Sequence, residues 1–484
     1  MKKFGILGIA LAAVQVCTMH AQTYTTFVSP RLVSTNQQYT EYACKFEQDG
    51  LNILVGGLYQ QSFKNDRLSG LFSPNGTDSI TLDELGGGDV NPVWFHLHGD
   101  TLPYESTVTF SMKQQSIGLP FMMRKNFDMF FIELDGAFLS VKNDLSVTEK
   151  QENEMVGVVP SSFSTQLIQN AAVALSNPDW HYGKMVGRPE KKGIDNLQIK
   201  FGFNKELENN TISGVASVYM ALELPTGTGP TAEYIYEPLV GTTHFGIGAG
   251  VGGVLCTCDL NEAGSKFVYD FVYRYQFGAR ELRSFDLEDN GAWSRYLPLV
   301  LQTLNAPTDS FEFYGINELT RYATVQPGHQ ASVNARFEHL FENRCGFFLN
   351  YNFFARGKEQ VTNVEPGIGV FGIKDYSDHI IDARTTSSKA RINEAVGDAY
   401  IPTGYENQVV DQIGAQDATF VNILPTHLDI LSASNPLYLS STFASGFMYQ
   451  GQLYFMQAGG SVTVPHSDAA QYNWGVWASA GIHF

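Results

Sequence analysis

Tyr472–Phe484 reads YNWGVWASAGIHF, and this stretch decides the fold. Alternate residues Tyr472, Trp474, Val476, Ala478, Ala480, Ile482 and Phe484 form a wholly apolar set. The intervening Asn473, Gly475, Trp477, Ser479, Gly481 and His483 are mixed. A period of two is that of a β-strand with one apolar face. A strand of this kind closing on a terminal aromatic residue reads as the last strand of a transmembrane barrel. Its apolar face is turned to lipid and its mixed face to a lumen. Trp474, Ile482 and Phe484 are then the expected assembly signal, read by the outer-membrane assembly machinery.

The other end of the chain agrees. Met1, Lys2 and Lys3 form a short basic region, Ile6–Val16 is apolar, and Thr18-Met19-His20-Ala21 offers a cleavage site before Gln22. This pattern predicts an export signal over residues 1–21, too short to span a bilayer, and a barrel with loops over 22–484. Cys17 follows Val14-Gln15-Val16, a poor lipidation motif. Losing residues 1–21 would leave 29 basic against 49 acidic side chains. Such acidity argues against nucleic acid as a partner. Cys44, Cys256, Cys258 and Cys345 are too sparse for a disulfide scaffold, and Cys256-Thr257-Cys258 has no matching Cys/His pair nearby.

Pro238–Cys258 carries no charge and has the length of a membrane helix. Gly246, Gly248, Gly250 and Gly252 fall on every second position within it, which is strand periodicity and weakens a helix. This glycine face is expected to mark either a bend at a barrel corner or a bare wall against which an outer loop lies, with 281–330 and 357–439 as the candidate loops.

The same alternation recurs along the chain. Leu51–Phe63, Tyr104–Met112, Phe130–Phe138, Leu197–Phe203, Ile212–Leu224, Phe267–Ala279, Val333–Phe341, Phe347–Phe353, Phe443–Tyr449 and Tyr454–Val464 all show it. With the glycine-rich and terminal strands the count is twelve, within a range of 10–16. The expected fold is all-β: a transmembrane antiparallel barrel with long extracellular loops carrying short helices. With the C-terminus in the periplasm, the inner turns fall near 113–127, 205–210, 258–265, 342–344 and 450–452. The outer loops fall near 64–103, 142–195, 225–243, 281–330, 357–439 and 465–471. Short inner turns and long outer loops are the habit of such barrels. Ser161–Ser176 and Trp293–Leu304 have helical spacing within those loops.

LELPTGTG at Leu222–Gly229, the run Tyr236-Glu237-Pro238-Leu239-Val240-Gly241, His244-Phe245-Gly246 and RSFDLEDNGAWSRY at Arg283–Tyr296 carry a family resemblance. Ser432–Ser441 and Gly459–Val462 fit it too. Together they resemble a family of uncharacterised bacterial porin-like outer-membrane barrels, distantly similar to fatty-acid and aromatic-compound channels. The resemblance covers about residues 190–484. It implies a barrel in the bacterial outer membrane and says nothing of mechanism.

Chemistry-bearing motifs are few. His96, His98 and Asp100 share one strand face but have no further ligand near in sequence. No metal and no cofactor is expected. Gly248–Gly253 lacks the helix and acid of a dinucleotide loop. There is no nucleophile elbow, zincin motif or P-loop, so no enzyme is expected. A membrane-embedded lipid hydrolase is the enzymatic alternative, for which the outward His339 is the one hint. The stronger lead is inward charge: Lys200, Glu223, Asp270, Arg274, Arg336, Glu338 and Arg356 all fall on the lumen phase and are candidate pore-lining residues. The expected function is a porin-like channel for passive passage of small solutes, with membrane lipid around it. The alternative is a non-conducting barrel displaying loops for adhesion or host contact.

Overall fold

The computed structural model describes residues 50–83, 87–97, 104–152, 170–209, 212–256, 263–288, 290–301, 311–367, 369–375, 396–397, 421–451, 453–467 and 469–484. The expected export signal, Cys44, Cys258, His98, Asp100 and most of 357–439 lie outside them.

Twelve strands close into a barrel: β1 Gly50–Ser62, β2 Glu105–Phe127, β3 Phe130–Gln151, β4 Leu197–Asn209, β5 Ile212–Leu224 and β6 Gly246–Cys256, followed by β7 Gly264–Gln276, β8 Gly328–Leu340, β9 Cys345–Arg356, β10 Tyr438–Gln450, β11 Tyr454–Pro465 and β12 Asn473–His483. Each pairs antiparallel with its chain neighbour, and β1 closes the ring on β12 from Asn52↔His483 to Ser62↔Asn473. Closure leaves no unpaired edge, which is what a sheet needs inside lipid. The C-terminal residue is itself tied down, since Phe484 and Leu51 exchange both backbone bonds at 3.0 Å.

The expected phase holds around the ring except in Tyr104–Met112, whose alternate apolar residues Tyr104, Val108, Phe110 and Met112 are buried in an apolar core instead of facing lipid. Val55, Ile117, Phe201, Met220, Val251, Phe271, Phe337, Leu349, Phe443, Met456, Val476 and Ile482 are exposed outward. Their chain neighbours face inward, so the barrel wears an apolar belt of the kind outer-membrane barrels turn to lipid. The chain is a transmembrane barrel of the bacterial outer-membrane type.

One expected turn is corrected. Residues 113–127 continue β2, and the chain reverses only at Asp128–Met129. β2 and β3 pair along their length from Ser106↔Gln151 to Phe127↔Phe130. The polar run Lys113–Ser116 and Pro120 disguise this strand. Gln114 and Ser116 point inward and are buried. Pro120 has no N–H to give, and the β1–β2 ladder carries no rung at Gly56 or Gly57, opposite it.

The β2–β3 hairpin rises past the ring and carries a cap made from the outer loops. Leu68, Phe72, Phe95, Phe110, Leu145, Trp180, Trp293 and Tyr296 form one apolar core. Trp293 Nε1 donates to the Phe72 carbonyl at 2.8 Å, and the Tyr296 hydroxyl to Gly183 at 2.7 Å. Phe285, Leu299, Leu319, Val325, Phe371 and Leu428 form a second core beside it. The expected helix over Trp293–Leu304 is instead a 3-10 turn, Ser294–Tyr296, and a strand, Pro298–Leu301. Pro298 cannot donate within a helix, and its segment pairs with Phe311–Tyr314 and Val370–Asp375. Within Ser161–Ser176 the described helix is Ala171–Ala174, with Asn170 capping it.

Candidate functional site

All seven charged residues singled out in the sequence lie on inward positions; six are buried and Asp270 is half-buried. They do not form one cluster. One group gathers on β2–β5 with β7. Glu133 accepts from Arg124 Nη1 at 3.1 Å and from Lys200 Nζ at 2.8 Å, with Asp135 at 3.4 Å from the same ammonium. Asp270 receives the Tyr219 hydroxyl at 2.7 and 2.8 Å to its two oxygens. Glu223 accepts from Gln276 Nε2 at 2.8 Å. With the Gln198 amide turned to present its oxygen, Arg274 donates to it through Nε and Nη2 at 2.8 and 3.1 Å. The other group lies on β8–β11. Arg336 pairs with Glu338 at 2.6 Å, lies 4.0 Å over the Phe348 ring and donates to Gln457 at 3.2 Å. Arg356 lies 5.3 Å from the Tyr438 ring centroid.

Such pairing is what buried charge requires, because an isolated ion in a dry interior is costly. Arg124, Glu133, Asp135 and Tyr219 were not singled out from the sequence. Glu133, Asp135 and Tyr219 carry a signal in phase alone, each on the inward side of its strand, whereas Arg124 lies in the stretch expected as an inner turn.

The glycine face explains how the first group closes. A side chain at Gly250 would run into the Tyr219 ring, and one at Gly252 would come within 2.6 Å of Asp270 Oδ1. At Gly246 it would meet Glu223 Oε2 at 2.8 Å, and at Gly248 the Arg274 Cγ at 2.9 Å. Side chains of β5 and β7 therefore reach over β6 and meet: Tyr219 finds Asp270, and Glu223 finds Gln276. The face is bare because lumen side chains cover it. Neither a barrel corner nor an inserted loop is needed to explain it, and Trp293 of the 281–330 candidate packs in the cap.

Above the ring, charge is also paired and buried. Arg283 Nη2 bridges Glu281 at 2.6 Å and Glu359 at 3.2 Å, and His244 Nε2 lies 3.0 Å from Glu281. Arg295 pairs with Asp286 at 2.8 Å. Tyr104 bonds Glu149, and burial pushes its phenol above the usual range. His96 is buried with its ring edge-on to Tyr314 at 5.4 Å, which makes it a packed core histidine.

His339 faces outward and its Nδ1 lies 3.0 Å from Ser265 Oγ. The rings of Phe341 and Phe347 flank it. A serine nucleophile needs its base oriented by a third group. Among the described residues no carboxylate or amide bonds the Nε2 of His339.

Comparison with known proteins returns barrels at low similarity. No family model matches the chain, and no curated protein matches it. Among solved structures, an outer-membrane channel from Pseudomonas putida F1 aligns over 91% of this chain and 99% of its own, with 9% identity and a TM-score of 0.40. The TodX monoaromatic hydrocarbon channel, as a deltaS2 mutant, aligns over 90% and 91%, with 9% identity and a TM-score of 0.34. The transport unit of the autotransporter AIDA-I from Escherichia coli aligns over 93% and 94%, with 8% identity and a TM-score of 0.33. These are membrane barrels, like this chain. Its own closed register and apolar belt carry the assignment.

Proposed function

We propose that this barrel is an outer-membrane channel for small solutes that rests closed and opens by rearranging its lumen side chains. It is not an enzyme in this reading. The carrying observation is the Tyr219–Asp270 bridge across Gly250, set in a lumen whose wall is polar and ion-paired. A barrel needs no such polar interior merely to be stable, because buried pairs are often no better than apolar packing of equal volume. A polar path through lipid does need it. Twelve strands lie between barrels that side chains fill and barrels that hold open water, so closure by side chains and opening by their movement are both within reach.

A display barrel is the second reading, and the folded cap with its own apolar cores favours it. Planar-bilayer recording separates the two. A channel gives rare or small openings as purified, and larger or more frequent ones in Tyr219→Ala and Arg274→Ala, which remove bracing side chains. Silence in all three, with folding verified by heat-modifiable gel migration, supports the display barrel and ends the channel reading.

A further inference from the structure

The lipid-facing surface is not uniform. Near the periplasmic end of β3–β5, a depression of about 650 Å³ opens in the outer wall. Phe130, Ile132, Phe201, Phe203, Val218 and Met220 line it. The Phe130 and Phe203 rings pack with centroids 4.8 Å apart and form one wall. Gly202 lies in the floor, with Phe131 and Tyr219 filling the lumen side behind it. On the far side β6 offers only Ala249, which keeps that wall low. The lining is apolar almost throughout.

Two lysines flank this depression on the same outward phase. Lys125 of β2 stands opposite Ile132 in the ladder, and its ammonium lies 5.7 Å from the Phe127 centroid, so its stem runs toward the periplasmic rim. Lys205 follows Phe203 by two residues on β4 and is exposed. Of the nearby acids, Glu206 belongs to the lumen phase opposite Val215, and Asp128 sits in the turn. An apolar trough inside the lipid belt with two cations at its water edge matches one molecule: a lipid with acyl chains and an anionic head group. Lysines at such a height reach the interface with their ammonium while their stems stay in apolar surroundings.

We infer that this face holds a phospholipid of the periplasmic leaflet, selected for a negatively charged head group, with an acyl chain in the trough and its phosphate between Lys125 and Lys205. The inference rests on the barrel fold and its phase, and stands whether or not the lumen conducts.

The test uses the full-length protein in mild non-ionic detergent, offered long-chain phosphatidylglycerol or phosphatidylcholine, with bound lipid counted by native mass spectrometry. We expect one retained phosphatidylglycerol per barrel and a preference over phosphatidylcholine of about thirtyfold, the combined worth of two lysines at a membrane surface. The double variant K125Q/K205Q should bind both lipids alike. M220W should lose both, because it fills the trough and leaves the lysines in place. Gel migration of unheated samples verifies that each variant is folded. Equal retention of the two lipids by the wild type overturns the inference. So does an undiminished preference in K125Q/K205Q, or, if that variant fails to fold, undiminished retention in M220W.

Discussion

Phe271→Arg tests the membrane placement more sharply than any other single substitution. Phe271 sits midway along β7 and faces out at 44% exposure, between Val251 of β6 and Val333 of β8. Phe277, just past the end of the same strand, is equally exposed at 42%. The two positions differ in depth and hardly at all in accessibility. Phe277 lies about 20 Å further along the strand at ~3.4 Å per residue, or roughly 15 Å along the membrane normal at a tilt near 40°. That exceeds the half-height of an apolar belt about 25 Å tall. An arginine on the lipid face costs about 2–4 kcal/mol at the midplane and about 0–1 near the interface. Phe271→Arg should therefore destabilise the barrel by some 2–3 kcal/mol more than Phe277→Arg, roughly a 30- to 150-fold difference in the folding equilibrium. Reversible urea titration in lipid vesicles measures both. Equal costs, or a greater cost at Phe277, would refute the placement of the belt. Val272 is no neutral control here, because it is packed with Phe131, Tyr219 and Ala221 inside the wall.

Four further substitutions test the lumen and the cap. Tyr219→Phe strips the hydroxyl from the half-buried Asp270 carboxylate and should cost about 1–3 kcal/mol in the same titration, while Gly250→Leu should cost about as much by driving a side chain into the Tyr219 ring. Arg336→Met removes the guanidinium that lies 2.6 Å from the buried Glu338 and should cost about 3–5 kcal/mol in the same titration. Trp293→Ala opens a hole in the cap core worth about 3–5 kcal/mol; limited proteolysis should then cut the outer loops sooner while the barrel keeps its heat-modifiable gel shift.

Much of this architecture was legible because a strand in a membrane wall announces itself by a period of two. The phase taken from Trp474, Ile482 and Phe484 alone carries round the ring to Phe271, Met220 and Val55, since one hydrogen-bonded register links them. It also delivered the inward charges, although it could not say which would pair. Lys200 meets Glu133 and Asp135 because β4 runs beside β3, and that partnership depends on register. The β2–β3 hairpin was misread where local chemistry competes with the period: Lys113–Ser116 is polar on both faces, and Pro120 is an unusual resident of a strand. The cap was illegible for a different reason. Trp293 packs on Phe110 of β2 and on Phe95 of another loop, and contacts between segments so far apart in the chain leave no periodic trace.

The glycine strand ties these observations together. A strand bearing four glycines on one face buries little there and should weaken the wall it belongs to. Here the loss is offset by what the glycines admit. With no side chain on β6, Tyr219 and Asp270 meet across it, and Glu223 reaches Gln276, so two strands that share no ladder are joined through the lumen. The joint is made of side chains on otherwise continuous strands, and it can come apart without breaking a single backbone rung. A closed lumen that opens this way spends only a few side-chain hydrogen bonds, each worth about 0.5–1.5 kcal/mol net, or about 1.5–3 where a charge takes part. In the proposed channel this would put an open state within reach of thermal or solute-driven population, whereas expelling a packed loop would expose an apolar core. Under the proposed function, the glycine face is therefore where the barrel would yield.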